Sequence, residues 1–254
     1  MVSTELVLLL LALFAVASLY SSIGLGGASG YLAVLSMTTF AASESIWLKQ
    51  YAWSLNLIVS GIAFWHYHKS GHHVRDLSLP FISASVPMAA LGGFMLVEGA
   101  VYDALLSLAF IGAAWRLLSG DAGVGDAVRP SATKAAVVGG GIGLASGVIG
   151  MGGGILLHPA LMLGRWAKAK EAAAATALFV WVNSLAGLVG AGVAGRLDLD
   201  PSLLITFGMT VLAGGLIGSR YGSKSSSQKG VRGILVAILI LAATRRALGI
   251  LQLG

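Results

Sequence analysis

A glycine-rich stretch inside a long apolar region constrains the fold of this chain more than any other feature. Residues 149–154 read Ile-Gly-Met-Gly-Gly-Gly, and residues 23–30 read Ile-Gly-Leu-Gly-Gly-Ala-Ser-Gly. Each glycine inside a helix costs about 1 kcal/mol relative to alanine. A membrane chain keeps such breaks only where the freed backbone groups are buried in protein or face a water-filled cavity. Two breaks at matching positions of two halves predict a binding site built from discontinuous helices.

The composition places the chain in a membrane. Of its 254 residues, 57% are hydrophobic and only 10% are charged, whereas soluble domains carry about 25% charged residues. The apolar runs are long and continuous, so they predict an all-α integral membrane protein and not the short alternating strands of a barrel. The absence of cysteine excludes disulfides, thiolate metal sites and thiol catalysis.

The net charge of +6 does not indicate a nucleic-acid partner. The basic residues lie in short loops, where cytoplasmic loops of membrane proteins collect lysine and arginine. The expected partners are therefore the lipid bilayer and a small molecule, with no nucleic acid.

The apolar runs predict about eight to ten helical segments. Their approximate bounds are 5–22, 28–41, 45–66, 77–97, 100–118, 132–149, 153–164, 168–194, 201–219 and 231–249. The segments 28–41 and 153–164 are shorter than the roughly 20 residues that a spanning helix needs. Because they follow the glycine breaks directly, they are predicted to be half-helices or re-entrant hairpins. Helix starts are predicted at Pro130-Ser131 and at Asp200-Pro201.

The chain repeats itself. Gly24 and Gly150 are separated by 150 − 24 = 126 positions, and Asn56 and Asn183 by 183 − 56 = 127. This spacing predicts a first membrane repeat over 1–118, a connecting loop over 119–131 and a second membrane repeat over 132–254.

Loop charges predict that the two repeats are inverted. The loop regions 66–75 and 220–232 are basic, whereas 98–103 and 196–200 carry most of the nearby acids. Basic loops stay on the cytoplasmic side, so corresponding loops of the two halves face opposite sides. That is the pattern of inverted-topology repeats.

A glycine-rich turn that leads into a helix leaves the first N–H groups of that helix unpaired, at the positive end of the helix dipole. Two such turns that meet near the middle of the membrane would surround a small anion with amides. The candidate backbone ligands are Gly24, Gly26, Gly27, Gly150, Gly152, Gly153 and Gly154. The alternative is that these glycines only allow helices to pack closely.

Four polar side chains within the apolar segments are candidates for substrate binding: Lys49, Asn56, Thr176 and Asn183. Polar groups inside a span are costly and usually face the interior of the bundle. Alternatively, Lys49 snorkels to the interface, and each asparagine only bridges helices.

His158 is the one histidine outside the region 66–73. It could bind substrate or carry a proton, since its reference pKa is about 6.5, or it could cap a broken helix. All ten acids lie near segment ends or in loops. Proton coupling would therefore need His158 or a substrate that carries the proton itself. The four histidines of 66–73 are interpreted as an interfacial loop, and no metal or cofactor is predicted.

The twin segments IGLGGASG and IGMGGGILLHP, with the Ala/Thr-rich start of the helix at 172–178, resemble the sulfite exporter TauE/SafE family. The resemblance covers nearly the whole chain. It implies a multi-pass carrier of the bacterial inner membrane that exports small anionic sulfur compounds, such as sulfite, sulfonates or sulfoacetate, and it carries no catalytic signature. Two departures add Ser29, Lys49 and Gln50 to the candidate site. Ala28-Ser29 interrupts the glycine run, and Lys49-Gln50 stands where the second half has an Ala-Thr pair.

Two other classes of function compete with a carrier. An intramembrane serine protease would use Ser29, in a Gly-x-Ser-Gly arrangement, with His158 as its base. The repeat counts against it, because Ile155 occupies the position equivalent to Ser29 in the second half. The other class is a channel for anions or a metal. Whether the protein forms a homodimer, which anion it carries and which ion is coupled stay open at this point.

Overall fold

The computed structural model of the protein describes residues 4–119, 127–222 and 229–252. These residues form ten α-helices and one 3₁₀ turn, Thr39–Ala42, and they contain no β-strand. The helices are α1 (Thr4–Ser22), α2 (Ala28–Leu35), α3 (Ser45–Lys69), α4 (Arg75–Phe94), α5 (Gly99–Ser119), α6 (Ala132–Ile149), α7 (Gly154–Leu163), α8 (Ala169–Val193), α9 (Pro201–Gly222) and α10 (Lys229–Gln252). Residues 120–126 of the predicted connecting loop lie outside the described residues, as does Lys224 of the second basic loop.

Five of the described helices are long and apolar enough to cross a membrane: α1, α4, α6, α8 and α9. The helix α3 has 25 residues, about 37 Å of rise, and its polar side chains are mostly buried against other helices. The protein is an all-α integral membrane protein, as predicted.

The two predicted helix starts are confirmed. Ser131 is the N-cap of α6, and its hydroxyl accepts from the N–H of Lys134 at 3.3 Å. The carboxylate of Asp200 precedes α9 and accepts from the N–H of Ser202 at 2.7 Å. The carboxylate of Asp200 also accepts from the hydroxyl of Ser202, and this hydrogen bond, together with those from the N–H groups of Ser202 and Leu203, lowers the pKa of Asp200.

The helices α2 and α7 are half-helices. They have 8 and 10 residues, about 12 and 15 Å, against a hydrocarbon core of about 30 Å. The segment predicted over 28–41 is the one that departs most, because its helix ends at Leu35 and a separate 3₁₀ turn follows. Each half-helix begins after a glycine in the left-handed region, with φ of 104° at Gly27 and 79° at Gly153. A residue with a Cβ rarely adopts this conformation, so the glycines fix where the chain reverses.

Both half-helices return the chain toward the end at which the preceding helix began. In the first half, the N–H of Thr39 donates to the Glu5 carboxylate at 3.2 Å, so the chain after α2 lies beside the start of α1. In the second half, the N–H of Val128 donates to the carbonyl of Arg165 at 2.8 Å, so the chain after α7 lies beside the start of α6. The pairs α1–α2 and α6–α7 are therefore hairpins.

The helices of the two halves pack against each other and not mainly within one half. The first helix of each half packs on the fourth helix of the other, α1 on α9 and α6 on α4. The third helices, α3 and α8, pack together at the centre, and the fifth helices, α5 and α10, also form a pair. This pattern is unchanged when each helix is exchanged for its counterpart, and the two repeats over 1–118 and 132–254 stay a prediction.

One end of the bundle, called the acidic end below, gathers acids of both halves. There, Arg196 donates to the carbonyl of Phe94 at 2.9 Å, which joins the loop after α8 to the loop after α4. The charged residues of the acidic end are Glu5, Glu44, Glu98, Asp103, Arg196, Asp198, Asp200, Arg245 and Arg246.

The opposite end, called the basic end, joins the loops after α3 and α7 and the end of α9. The Ser219 hydroxyl lies 3.0 Å from Nδ1 of His66, and Arg129 forms an ion pair with Glu171 at 3.3 Å. Its described charged residues are Lys69, Arg75, Asp76, Arg129, Lys134, Arg165, Lys168, Lys170, Glu171 and Arg220. The positive-inside rule predicts that the basic end faces the cytoplasm.

Arg245 and Arg246 lie at the acidic end, against this rule, and the structure gives the reason. The guanidinium of Arg246 binds the carboxylate of Asp103 at 2.6 Å and donates to the hydroxyl of Ser36 at 2.9 Å. Arg245 donates to the backbone carbonyl of Ser36 at 2.9 Å. Because Ser36 is the C-cap of α2, the two cations lie at the negative end of this half-helix dipole.

Removal of the ion pair between Arg246 and Asp103 should lower the free energy of unfolding of the protein. The side chains of Arg246 and Asp103 are only 14% and 18% exposed, so solvent screens them less than a surface pair. In a double-mutant cycle of Arg246→Met and Asp103→Asn, we expect a coupling energy of about 1 kcal/mol. Equilibrium unfolding in mixed detergent micelles measures it. Strictly additive effects of the two substitutions would show that the pair contributes nothing to stability.

Candidate functional site

The two glycine breaks meet in the interior, at the side chain of Val180 on α8. A Cβ built on Gly26 would lie 2.7 Å from this side chain, and one built on Gly152 or Gly154 would lie 2.9 or 2.6 Å from it. Such distances do not occur between real atoms without a shift of the neighbour. The breaks are thus in direct contact with one side chain, although 126 positions separate them in the sequence.

A small cavity lies between the two breaks. Its volume is about 10 Å³, about the room that one water molecule needs. Residues of the first break, from Leu25 to Ser29, line one side, and Met151, Gly154 and Ile155 of the second break line the other. The cavity thus lies against the N-terminal residues of both half-helices.

Asn56 connects the two breaks. Its Oδ1 accepts from the N–H of Ala28, the first residue of α2, at 3.0 Å, and its Nδ2 donates to the hydroxyl of Ser184 on α8 at 3.2 Å. Built Cβ atoms on Gly26 and on Gly152 would both overlap this amide. Glycine is therefore required at both positions by the same side chain.

The first glycine of each break packs on the long central helix of the other half. A Cβ on Gly24, where φ is 75°, would lie 2.5 Å from the carbonyl oxygen of Ala173 on α8. A Cβ on Gly150, where φ is 93°, would lie 2.6 Å from Cγ of Lys49 on α3. Each break is thus held between the two halves.

Lys49 is fully buried beside the second break. Its ammonium lies 5.6 Å from the centroid of the Tyr102 ring, within the range of a cation–π contact, and it has no hydrogen-bond partner among the described residues. The Tyr102 hydroxyl donates to the carbonyl of Ile149, the last residue of α6, at 3.2 Å. The snorkelling interpretation does not describe this side chain, because none of it reaches solvent.

Gln50 is next to Lys49 in the sequence but has a different environment. Its amide oxygen accepts from the N–H of Asp198 at 2.9 Å, and its amide nitrogen donates to the carbonyl of the same residue. On the next residue, the Tyr51 hydroxyl accepts from the N–H of Asp200 at 2.9 Å. Gln50 thus anchors the loop after α8 at the acidic end, and the structure does not bring it together with the breaks.

Thr176 and Asn183 on α8 are fully buried. The methyl group of Thr176 lies 3.2 Å from the position of a Cβ on Gly154, so this side chain adjoins the start of α7. The Thr176 hydroxyl and both amide atoms of Asn183 have no hydrogen-bond partner within the part of the chain that the structure describes. His158 is also buried, one turn after Gly154 on α7.

Tyrosine hydroxyls bind the carbonyls around the breaks. Tyr31 donates to Gly26 at 3.0 Å, and Tyr67 donates to Ser22 at 3.1 Å. The Ser29 hydroxyl donates to the hydroxyl of Tyr20 at 3.0 Å, so Ser29 is held by a tyrosine of its own half. These tyrosines were not predicted as part of the site, since no spacing in the sequence relates them to the glycines.

In the described ranges, no group of three or more histidines, cysteines or acids is placed to hold a metal ion. The histidines near 66–73 instead pack with aromatic rings: Phe64 lies 5.0 Å from His73 and 5.5 Å from His68, centroid to centroid.

The comparisons with known proteins agree with one another on the kind of protein that this chain resembles. Residues 9–246 match the family model described as sulfite exporter TauE/SafE. A protein of Sinorhizobium fredii (strain NBRC 101917 / NGR234), named probable membrane transporter protein y4hK, is 32% identical over 253 residues, which cover 95% of this chain and 98% of that protein. No solved structure matches the chain. The chain is therefore a multi-pass membrane transporter and not an enzyme, which removes the protease interpretation of Ser29 and His158. The protein belongs to the sulfite exporter TauE/SafE family.

Proposed function

We propose that this transporter exports a small anionic sulfur compound, sulfite or an organosulfonate such as sulfoacetate, across the inner membrane of a bacterium. The observation that carries the proposal is the convergence of two half-helix N-termini on one small cavity, with Lys49 buried beside Gly150 of the second break. Helix N-termini bind anions through their free N–H groups and the dipole of the helix.

The charges of the interior support an anionic substrate. Among the buried residues that the structure describes, Lys49 is the one lysine or arginine, and none is an aspartate or glutamate. A buried ammonium that has no hydrogen-bond partner among the described residues is unfavourable in the empty protein, although Glu98 of the acidic end attracts it. A bound anion would add acceptor atoms and negative charge at this ammonium, which favours an anion over a metal cation as the substrate.

The packing supports alternating access. Each break lies between the two halves, and the hairpins α1–α2 and α6–α7 open toward opposite ends of the bundle. Movement of one half relative to the other would open the cavity toward the basic or the acidic end in turn. With the basic end in the cytoplasm, export runs from the basic to the acidic end. Proton coupling in this cycle would use His158 or a protonated substrate, because none of the acids that the structure describes is buried inside the bundle.

Counterflow in liposomes tests the proposal. We expect purified protein to take up radiolabelled sulfite with saturation, and uptake should accelerate when the liposomes are preloaded with unlabelled sulfite. Acceleration is typical of a carrier, since the loaded site returns faster than the empty one. Empty liposomes are the control. Flux without saturation would identify an anion channel instead, and flux of carboxylates without flux of any sulfur anion would overturn the substrate class.

A further inference from the structure

The cavity between the two breaks has side-chain hydroxyl groups on one side only. They belong to Tyr20 near the end of α1 and to Ser29 in the first turn of α2, and both residues line the cavity. The second break contributes Met151, Gly154 and Ile155, whose side chains carry no hydrogen-bond donor. None of the residues that line the cavity is charged. The donors available to a ligand there are therefore hydroxyl and backbone N–H groups.

The two hydroxyls form a pair that has one proton to spare. The Ser29 hydroxyl donates to the Tyr20 hydroxyl at 3.0 Å, and neither hydroxyl has a further hydrogen-bond partner among the described residues. Two hydroxyl groups carry two protons, and only one of these lies between the two oxygens. Tyr20 is 1% exposed and Ser29 is 3% exposed. A buried donor without an acceptor costs free energy, and more so inside a membrane.

The start of α2 adds a backbone donor next to this pair. The first backbone hydrogen bond of α2 runs from the N–H of Tyr31 to the carbonyl of Gly27 at 2.9 Å, and the N–H of Ala28 donates to Asn56. The N–H of Ser29 lies between these two and has no acceptor within the described ranges. It is at the positive end of the α2 dipole. Ser29 thus brings both a hydroxyl and a free amide to the cavity.

The predicted repeat places different residues at the corresponding positions of the second half. The counterpart of Tyr20 is Ser146 (146 − 20 = 126), and the counterpart of Ser29 is Ile155 (155 − 29 = 126). The Ser146 hydroxyl has no hydrogen-bond partner among the described residues, and Ser146 does not line the cavity. The second half therefore has one isolated hydroxyl where the first half has a pair.

The size of the cavity fits a single oxygen atom. Its volume of about 10 Å³ is about the room that one water molecule needs. A sulfur oxyanion carries several terminal oxygens, and each accepts strong, charge-assisted hydrogen bonds. With the breaks as close as they are here, one of these oxygens fits into the cavity and a whole anion does not.

We propose that the cavity is the pocket for one terminal oxygen of the transported anion, with the Tyr20 hydroxyl and the N–H of Ser29 as its ligands. The Ser29 hydroxyl orients Tyr20 and is a positioning group. The inference rests on the proposed function and deepens it, because it identifies donors that contact the substrate. Lys49 is not among the residues that line the cavity, so the oxygen pocket is independent of it. The ligand class is an oxyanion with a terminal oxygen, and not a halide, which is larger than an oxygen atom.

Removal of each hydroxyl tests the pocket in the purified full-length protein, with sulfite as the probe in titration calorimetry. Tyr20→Phe is expected to weaken sulfite affinity about tenfold, the loss of one hydrogen bond to a charged ligand. Ser29→Ala leaves the Tyr20 proton in place and should weaken the affinity less, about threefold. Both substitutions remove the same internal hydrogen bond, so they should lower the thermal midpoint by similar amounts. A purely structural role would change both midpoints and leave sulfite affinity unchanged.

Ser146→Ala is the matched control, because it removes a buried hydroxyl at the counterpart of Tyr20 outside the cavity. We expect this variant to bind sulfite with wild-type affinity. An excess of chloride should not displace sulfite from the wild type. The inference is wrong if Tyr20→Phe binds sulfite like the wild type, if Ser146→Ala weakens binding as much as Tyr20→Phe, or if chloride competes as well as sulfoacetate.

Ser29→Ala keeps the test decisive if Tyr20→Phe does not fold, because it removes only one oxygen atom. Wild-type sulfite affinity of Ser29→Ala would then overturn the inference. If the wild type binds neither sulfite nor sulfoacetate, the proposed function fails first, and the inference fails with it. If the wild type binds sulfite and the hydroxyl variants bind it equally well, the proposed function stands and only the oxygen pocket is wrong.

Discussion

Replacement of Gly24 by alanine is expected to abolish sulfite transport and to lower the thermal midpoint of the purified protein. The φ of Gly24 is 75°, and its new Cβ would lie 2.5 Å from the carbonyl oxygen of Ala173 and 2.8 Å from the Cα of the same residue. These atoms belong to the backbone of α8 and cannot rotate away. The left-handed conformation and the overlap together predict a loss of about 2–5 kcal/mol of stability, with the break displaced from α8.

Gly141 on α6 provides the matched control. A Cβ on this glycine meets no atom within 4 Å. Gly141→Ala is therefore the same substitution at a position where the new methyl group touches no other residue. We expect wild-type transport and a thermal midpoint equal to or slightly above that of the wild type, because alanine favours a helix interior by about 1 kcal/mol over glycine. Counterflow in liposomes and thermal unfolding in detergent measure both variants. Wild-type activity of Gly24→Ala would show that the break does not need the backbone conformation described above.

The second large effect is expected for Lys49→Met, which keeps the length of the side chain and removes its charge. Anion binding and transport should be lost, because Lys49 is the one buried lysine or arginine in the described part of the chain. Stability should stay equal or increase, since a buried ammonium without a hydrogen-bond partner is unfavourable in the empty protein. The opposite directions of the two effects separate a ligand from a residue that only supports the fold.

Lys134→Met at the basic end is the control for loss of a positive charge. Its ammonium lies 5.1 Å from the centroid of the Trp166 ring at the basic end, and its removal should leave sulfite transport unchanged. If Lys49→Met transports sulfite normally but is less stable than the wild type, Lys49 only neutralises the C-terminal end of α6 and is not a ligand.

The helices themselves could be predicted because the membrane leaves few alternatives. Long apolar runs give helix bounds within a few residues, and the glycine pairs locate the two half-helices, since only glycine adopts the left-handed conformation there readily. The segment predicted with the largest excess, 28–41, ends as a helix at Leu35, and a 3₁₀ turn over Thr39–Ala42 follows it. Hydropathy alone does not mark the end of the helix, because Met37, Phe40 and two alanines keep the run largely apolar after Leu35.

The sequence alone predicted the residues of the candidate site less well than the helices. Lys49 and Gln50 are adjacent and equally polar, yet one lies beside the second break and the other binds the backbone of Asp198. Their difference depends on which neighbour each face of α3 meets, and that neighbour is 148 positions away for Gln50. Ser184 was missed for the same reason, because its contact with Asn56 spans 128 positions. A regular spacing identifies a helix face but not the helix that covers it.

The exchange of partners between the halves has a consequence for how the protein is made. The hydroxyl of Ser21 on α1 binds the carbonyl of Gly215 on α9 at 3.0 Å, 194 positions later. During synthesis, α1 therefore enters the lipid long before the helix against which it packs has left the ribosome. Its apolar surface must stay solvated by lipid in that interval, and final assembly follows insertion as a separate stage. Neither half contains the surface that its own first helix needs, so each half expressed alone should insert without reaching the packed state, and mixing of the two halves in one membrane should restore it.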